Sequence, residues 1–220
     1  MRIYEDRREA GECLGRALKA YSNRDDVLVL ALPRGGVPVA FEVARALDAP
    51  LDVFMVRKLG SPGQSELAMG AIASGGIRVM NDEIVRMLGL SDDAIARVMR
   101  REQQEIERRE ASYRKDLPPL EAKGKTVILV DDGVATGATM RAAVLAARQL
   151  EPVRLVVAVP TAAREACELL EHEADELLCL EMPEPYLAVG YWYRSFPQVG
   201  DEEVRSLLHS RSRDLEKALK

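Results

Sequence analysis

Two adjacent carboxylates, Asp131 and Asp132, stand between an apolar run, Val127 to Val130, and a loop of small and hydroxyl residues, Gly133-Val134-Ala135-Thr136-Gly137-Ala138-Thr139. A run that is apolar at every position suits a strand buried on both faces. Beyond the loop, Ala142 to Arg148 is rich in helix formers. Strand, acidic pair, loop and helix in that order would gather carboxylates and backbone N–H groups around one point. Loop amides at a helix N-terminus suit a phosphate. Ionised carboxylates only accept hydrogen bonds, so the pair suits sugar hydroxyls, directly or through the waters of a metal ion. A sugar phosphate satisfies both halves. The alternative is a plain strand-to-helix turn in which the two aspartates merely cap the helix.

Two other loops could share that point. Leu32-Pro33-Arg34-Gly35-Gly36-Val37-Pro38 follows an apolar run, Val27 to Leu32. Its glycines permit close backbone approach, and Arg34 offers a fork of donors for oxyanions. Arg57 and Lys58 follow a second run, Leu51 to Val56, and lead into Leu59-Gly60-Ser61-Pro62-Gly63-Gln64. Each loop also has a simpler reading, a tight turn bearing solvated cations. In the tail, Tyr186, Tyr191, Trp192, Tyr193 and Phe196 could stack on a planar ligand or pack against the sheet or a second subunit. His172 and His209 have no partner in the pattern and read as surface residues.

The elements that must position these groups alternate. Asp6 to Tyr21 has an apolar face at helical spacing, with Ala10, Cys13, Leu14, Ala17, Leu18 and Tyr21. Strand 27–32, helix 36–47, strand 51–56, strand 127–130, strand 153–159, helix 162–173 and strand 176–180 follow. Strands alternating with helices predict an α/β domain with a parallel sheet. Such sheets bind ligands beyond the carboxyl ends of their strands, where strand order reverses. Leu59 to Met80 breaks the rhythm, with turn signals at Ser61-Pro62-Gly63 and Ser74-Gly75-Gly76, and reads as a loop followed by a short hairpin. Ser91 caps a long helix reaching about Lys115, whose alternating charges read as a solvated face. A final helix begins at Asp201.

With 220 residues the chain suits one large domain, 1–220. Its net charge of −5 argues against a general nucleic-acid binder. Cys13, Cys167 and Cys179 have neither metal-site spacing nor a disulfide framework. The N-terminus has no apolar signal core, and no stretch is long enough to span a bilayer, so a cytoplasmic protein is expected.

The stretch from Asp131 to Thr139 resembles the phosphoribosyl-diphosphate (PRPP) motif of the type I phosphoribosyltransferases. The nearest resemblance is to uncharacterised bacterial members of that family. It implies an open, mainly parallel twisted sheet flanked by helices, with a small hood built from terminal segments, here 181–220. Asp131 and Asp132 would hold the ribose 2′- and 3′-hydroxyls, Ala135 to Thr139 would wrap the 5′-phosphate with Thr136 and Thr139 adding hydroxyl donors, and Gly133 and Val134 would complete the PRPP-binding stretch. Arg34, Gly35 and Gly36 resemble the pyrophosphate loop, which often contains a non-proline cis peptide, so strain is expected near Arg34-Gly35. Lys58, with Arg57 in reserve, would meet the pyrophosphate and act with Arg34 as the catalytic cations. Residues 59–80 would be a mobile catalytic loop and hairpin. Tyr186 and Trp192 are the best candidates to stack on a base. The implied reaction moves 5-phosphoribosyl from PRPP to a nitrogen nucleophile with release of pyrophosphate, aided by Mg²⁺ held on PRPP and by waters on Asp131 and Asp132. The implied partners are PRPP and an acceptor, with a homodimer allowed and no nucleic acid or membrane. One residue departs from the hypoxanthine-guanine enzymes, which carry an acid before the Thr-Gly pair where this chain has Ala135. A non-catalytic PRPP- or nucleotide-sensing regulator and another sugar-phosphate enzyme, such as a hydrolase, are the alternatives.

Overall fold

The computed structural model describes residues 2–115 and 117–218. Five parallel strands form the central sheet: β1 (Val27–Ala31), β2 (Leu51–Val53), β6 (Thr126–Val130), β7 (Arg154–Thr161) and β8 (Glu176–Glu181), in the order β2-β1-β6-β7-β8. Every neighbouring pair in that sheet is parallel. A smaller antiparallel sheet holds β3 (Val56–Ser61), β4 (Gln64–Ala73) and β5 (Ile77–Met80) in sequential order.

The apolar runs become strands because both faces of the sheet are covered. Along β1, Val27, Val29 and Ala31 enter one hydrophobic cluster, while Leu28 and Leu30 enter the other. The same alternation divides Ile128 and Val130 from Val127 and Leu129 along β6. Each such fully buried side chain contributes about 1.5–3 kcal/mol. The first face is covered by α1 (Arg7–Ala17), α2 (Gly36–Leu47) and α7 (Asp201–Ala218). The second is covered by α5 (Ala138–Arg148) and α6 (Arg164–Glu171). Two further helices, α3 (Asp82–Met87) and α4 (Asp92–Tyr113), follow the antiparallel sheet. Ser91 caps α4 by accepting from the Ala94 amide, as its sequence position predicts. Among the described residues no helix is long and apolar enough to cross a membrane.

Three readings of the sequence change. The stretch 59–80, expected as a loop and a short hairpin, is almost wholly strand. The turn signals are genuine: Pro62 and Gly63 join β3 to β4, with Gly63 at φ 77°, and Ser74 to Gly76 join β4 to β5. The strands between them were hard to see because Ala68, Gly70, Ala71 and Ala73 have weak strand propensity. The run 51–56 is not one strand but two, since β2 ends at Val53 and β3 starts a different sheet at Val56. Helix α5 begins at Ala138, so Ala138 and Thr139 lie in its first turn rather than in the loop. Cys167 on α6 and Cys179 on β8, distant in sequence, come close enough for the Cys167 neighbour and burial together to push the Cys179 thiol up.

One buried ion pair anchors the edge strand β2. Arg114, just past α4, forks onto Asp52 of β2 with Nε–Oδ1 and Nη2–Oδ2 both at 2.9 Å. Burial still holds the Asp52 carboxyl above its ordinary value, against the pull of Arg114. Arg114→Leu should therefore cost about 3–5 kcal/mol at neutral pH, because an unpaired buried carboxylate remains. Its sign with pH follows from the raised value. The folded state binds the proton more tightly than the unfolded state, so stability falls as pH rises from the ordinary carboxylate range through the folded value. Urea unfolding near about pH 4 and about pH 7 should show the smaller loss at the acidic end; equal losses would place the cost elsewhere.

Candidate active site at the switch point of the sheet

Strand order reverses between β1 and β6: the chain leaves β1 toward β2 on one side and leaves β6 toward β7 on the other. The loops after β1 and β6 therefore emerge side by side at the carboxyl edge, the position where open α/β sheets place ligands. The Leu32 amide donates to the Val130 carbonyl at 2.9 Å and ties the first loop to the end of β6. The Pro33–Arg34 peptide is cis, one bond before the Arg34-Gly35 pair.

Both loop glycines are required by contact. A Cβ on Gly36 would sit 2.7 Å from the Val130 carbonyl oxygen and 2.9 Å from Asp131 Cα. A Cβ on Gly35 would overlap the Asp132 carboxylate. The first loop thus lies directly against the acidic pair, with no side chain between them.

The pair itself is asymmetric. Asp131 Oδ1 accepts from the Asp132 amide at 2.8 Å. Asp132 Oδ2 accepts from Arg7 Nε at 2.8 Å, and its main-chain oxygen accepts from the Tyr193 hydroxyl at 2.5 Å. Burial, then the neighbouring Asp132, pushes the Asp131 carboxyl well up. Burial also raises Asp132, with Arg7 opposing it.

The rest of the second loop is pinned to β7. The Val134 amide donates to the Thr161 carbonyl at 3.0 Å, and the Ala163 amide donates to the Val134 carbonyl at 2.9 Å. Gly137, at φ 78°, precedes α5 with no side-chain cap. The first amides of a helix lack intrahelical acceptors, and here Thr136 Oγ1 reaches only the Ala138 amide, at 3.5 Å. Ala135, Thr136, Ala138 and Thr139 are exposed around them. This is a surface-open set of donors beside two carboxylates.

The expected cations divide between two cavities. Arg34 and Gly35 line one of about 520 Å³ together with Arg7, Asp132, Phe196 and Gln198. Lys58 lines another, of about 480 Å³, with Ala138, Thr139 and Arg141. Arg57 faces away from Lys58, as strand alternation demands, and pairs with buried Glu102 of α4 at 2.5 Å. Arg34 Nη1 lies 3.5 Å from Asp201 Oδ1, which also accepts from Tyr113 at 2.6 Å. A larger cavity of about 650 Å³, between α4 and the antiparallel sheet, is lined by neither the acidic pair nor the loop glycines.

The tail does more than shield the sheet. Its backbone pairs with the N-terminal segment: the Tyr4 amide donates to Trp192 O at 2.9 Å, and the Arg194 amide donates to Tyr4 O at 2.8 Å. Tyr4 and Tyr193 bury against each other with ring centroids 5.8 Å apart. Tyr191 is exposed, while Tyr186 and Trp192 lie 6.1 Å apart. The Trp192 indole nitrogen is buried with no hydrogen-bond partner. The Tyr186 hydroxyl, also buried, faces Thr161 without a well-formed hydrogen bond. Most of the rings thus pack, as one reading of the sequence allows, and Tyr186 and Trp192 keep unspent polar atoms.

Arg7 and Asp201 carry no site assignment in the sequence, and Tyr193, a candidate there only for stacking or packing, instead bonds the Asp132 carbonyl. Arg7 had a readable signal, since it stands three residues before Ala10 and seven before Leu14 on the apolar face of α1. A charge on a buried helix face calls for a partner. The partner, 125 residues away, had no such signal.

The donor set also bears on a metal. Among the described residues no group of three or more His, Cys, Asp and Glu side chains could hold an ion. Two carboxylates, one already bonded to Arg7, fit a magnesium that arrives on substrate phosphates and keeps its waters. They do not fit a caged structural ion.

Comparison with known proteins gives the family of the chain. The phosphoribosyl transferase domain family matches residues 3–191, so the chain belongs to that family. Two provisionally named phosphoribosyl transferases of Mycobacterium tuberculosis, from strains CDC 1551 / Oshkosh and H37Rv, are each 44% identical over 218 residues, which is 99% of this chain. The chain spans about half the length of these relatives, 49%. The crystal structure of TT1426 from Thermus thermophilus superposes with a TM-score of 0.86 at 43% identity, covering 96% of this chain and 99% of that one.

Proposed function

We propose that this chain is a PRPP-dependent phosphoribosyltransferase acting on a nitrogen nucleophile. The observation that carries the reading is the convergence of Asp131, Asp132, the uncapped N-terminus of α5 and the Arg34-Gly35-Gly36 loop at the switch point. Asp131 and Asp132 accept the ribose hydroxyls. The amides from Ala135 to Thr139, with the Thr136 and Thr139 hydroxyls, take the 5′-phosphate, and Lys58, expected from the sequence at the pyrophosphate, adds positive charge instead from the cavity it shares with Thr139. Arg34 and the amides of Gly35 and Gly36 take the pyrophosphate. For this, Arg34 turns from Asp201, a weak contact at 3.5 Å that leaves the guanidinium available.

The substitution at ribose C1 breaks the bond to the pyrophosphate oxygen and forms one to the acceptor nitrogen. Charge grows on the ring and on the departing oxygen together. Once Arg34 has turned to the bound pyrophosphate, donors aimed at those positions stabilise the charge without further reorganisation. Magnesium bound on the substrate supplies neutralisation of the leaving group. The acceptor nitrogen loses a proton; Ala135 offers no side-chain base to take it, so the proton passes to the departing pyrophosphate or to water.

The test is turnover. Protein, Mg²⁺ and PRPP are incubated with a panel of bases and small amines, and pyrophosphate and ribosylated product are assayed. Acceptor-dependent release of pyrophosphate is the expected result. PRPP binding with no product from any acceptor would favour a sensing regulator, and release of ribose phosphate without an acceptor would favour a hydrolase.

A further inference from the structure

We propose that Arg7 is the positioning residue that joins the sugar site to the tail, so that the state of Asp132 and the state of residues 193–199 report on each other. The inference rests on the phosphoribosyltransferase reading for its ligand. It adds a residue, and a coupling, that the reading does not contain.

Arg7 is 8% exposed and spends its guanidinium on three groups. Nε donates to Asp132 Oδ2 at 2.8 Å, and Nη1 donates to the Pro197 carbonyl at 2.7 Å. The guanidinium carbon lies 3.7 Å from the centre of the Phe196 ring. A second link runs beside it, from the Tyr193 hydroxyl to the Asp132 carbonyl. One carboxylate of the acidic pair is thus held, through side chain and main chain, by the same short stretch of tail. Phe196, Pro197 and Gln198 wall the cavity that Arg34 and Gly35 also line.

Three consequences follow from this geometry. With Oδ2 occupied by Arg7, Asp132 is held in one orientation before any sugar arrives. A ribose hydroxyl that bonds Asp132 competes for, or tightens, the carboxylate that anchors Pro197. The tail must then change its stability when the sugar site fills, and by linkage whatever fills the tail side must change affinity for the sugar phosphate.

Arginine is needed for both links because a planar fork can serve two acceptors and stack on a ring at once. A lysine, a compact point charge without the planar fork, does not span the carboxylate and the Pro197 carbonyl while lying flat on the ring. The two substitutions therefore separate the parts. In Arg7→Met, both links are lost; affinity for PRPP with Mg²⁺, measured by calorimetry on the full chain, should fall by about tenfold to a hundredfold, as for a lost hydrogen bond to a charged group. In Arg7→Lys the carboxylate keeps a cation, so affinity should fall less than in Arg7→Met. Amide hydrogen exchange across residues 193–199 supplies the readout that simple loss of stability would not move. In wild type, saturating PRPP with Mg²⁺ should change exchange across this segment. In both variants the response should vanish, although Arg7→Lys still binds.

Unchanged PRPP affinity in Arg7→Met, or a tail response that persists in Arg7→Lys, overturns the coupling. Failure of the wild-type protein to bind PRPP removes the proposed function and the coupling with it. Wild-type binding with unaltered variants removes the coupling alone.

Discussion

Replacing Asp131 and Asp132 together by asparagine is expected to weaken PRPP binding by at least about a hundredfold, on the basis of two hydrogen bonds to charged groups at about 1.5–3 kcal/mol each. The sign is what makes the result informative. PRPP is strongly anionic, and two carboxylates beside it repel it. A site that recognised PRPP only through its phosphates would bind more tightly once those charges were gone. A site that uses the carboxylates as acceptors for ribose hydroxyls, and for waters on a substrate-borne magnesium, binds more weakly. Asparagine preserves shape, which matters because Arg7 is buried against Asp132 and a cavity there would strand it. Calorimetric titration with PRPP and Mg²⁺ measures the effect, and a companion titration with pyrophosphate isolates the Arg34 side. Pyrophosphate affinity should be kept or improved. If the double variant binds PRPP as wild type does, the two aspartates do not hold the ribose.

Gly36→Ala carries the second large effect, on stability and binding at once. The added methyl meets the Val130 carbonyl and Asp131 Cα, both backbone atoms at the end of a central strand, at 2.7 and 2.9 Å. The one side-chain atom nearby, Asp131 Oδ1 at 3.0 Å, is farther than either backbone atom, so turning it away would not relieve the overlap. The first loop must lift from the acidic pair, at a cost of about 1–3 kcal/mol for overpacking. Lifting it also separates the two halves of the site, so PRPP affinity should fall with stability. Gly124→Ala is the control. Its Cβ meets nothing within 4 Å, its φ is +71°, and it precedes β6 at the end of the sheet away from the site. It should lose about 1–2 kcal/mol through backbone strain alone and keep its affinity. Urea unfolding and PRPP titration on both variants decide the matter: equal affinity in Gly36→Ala would mean that the loop contact does not shape the site.

Much of the molecule was readable in the chain because local physics left little choice. Helix 36–47 is found at Gly36–Leu47, and the apolar run 127–130 lies within strand Thr126–Val130. Runs that are apolar at every position can be satisfied only between two helical layers, and that requirement predicts a parallel sheet before any coordinates exist. The loop glycines were likewise readable as points of close approach, although what they approach was not. The antiparallel sheet was the least legible part. Its turns announced themselves through Pro62-Gly63 and Gly75-Gly76, yet its strands are built from alanines and glycines whose pairing is decided by neighbours rather than propensity. The two cations after Val56 could not be told apart in sequence. Alternation along β3 sends Arg57 to Glu102 and leaves Lys58 in the cavity beside Thr139.

By itself the sequence determined the Asp131-Asp132 stretch, the order of strand, acid, loop and helix around it, and the family resemblance. These depend on residues adjacent in the chain, where spacing alone dictates which groups meet. Only the tertiary structure decided that Arg7 occupies one face of Asp132, that Tyr193 holds its carbonyl, and that Asp201 stands opposite Arg34. Each joins segments more than sixty residues apart. No local pattern encodes such a meeting; it exists because the N-terminal helix and the C-terminal tail fold back over the carboxyl edge of one sheet.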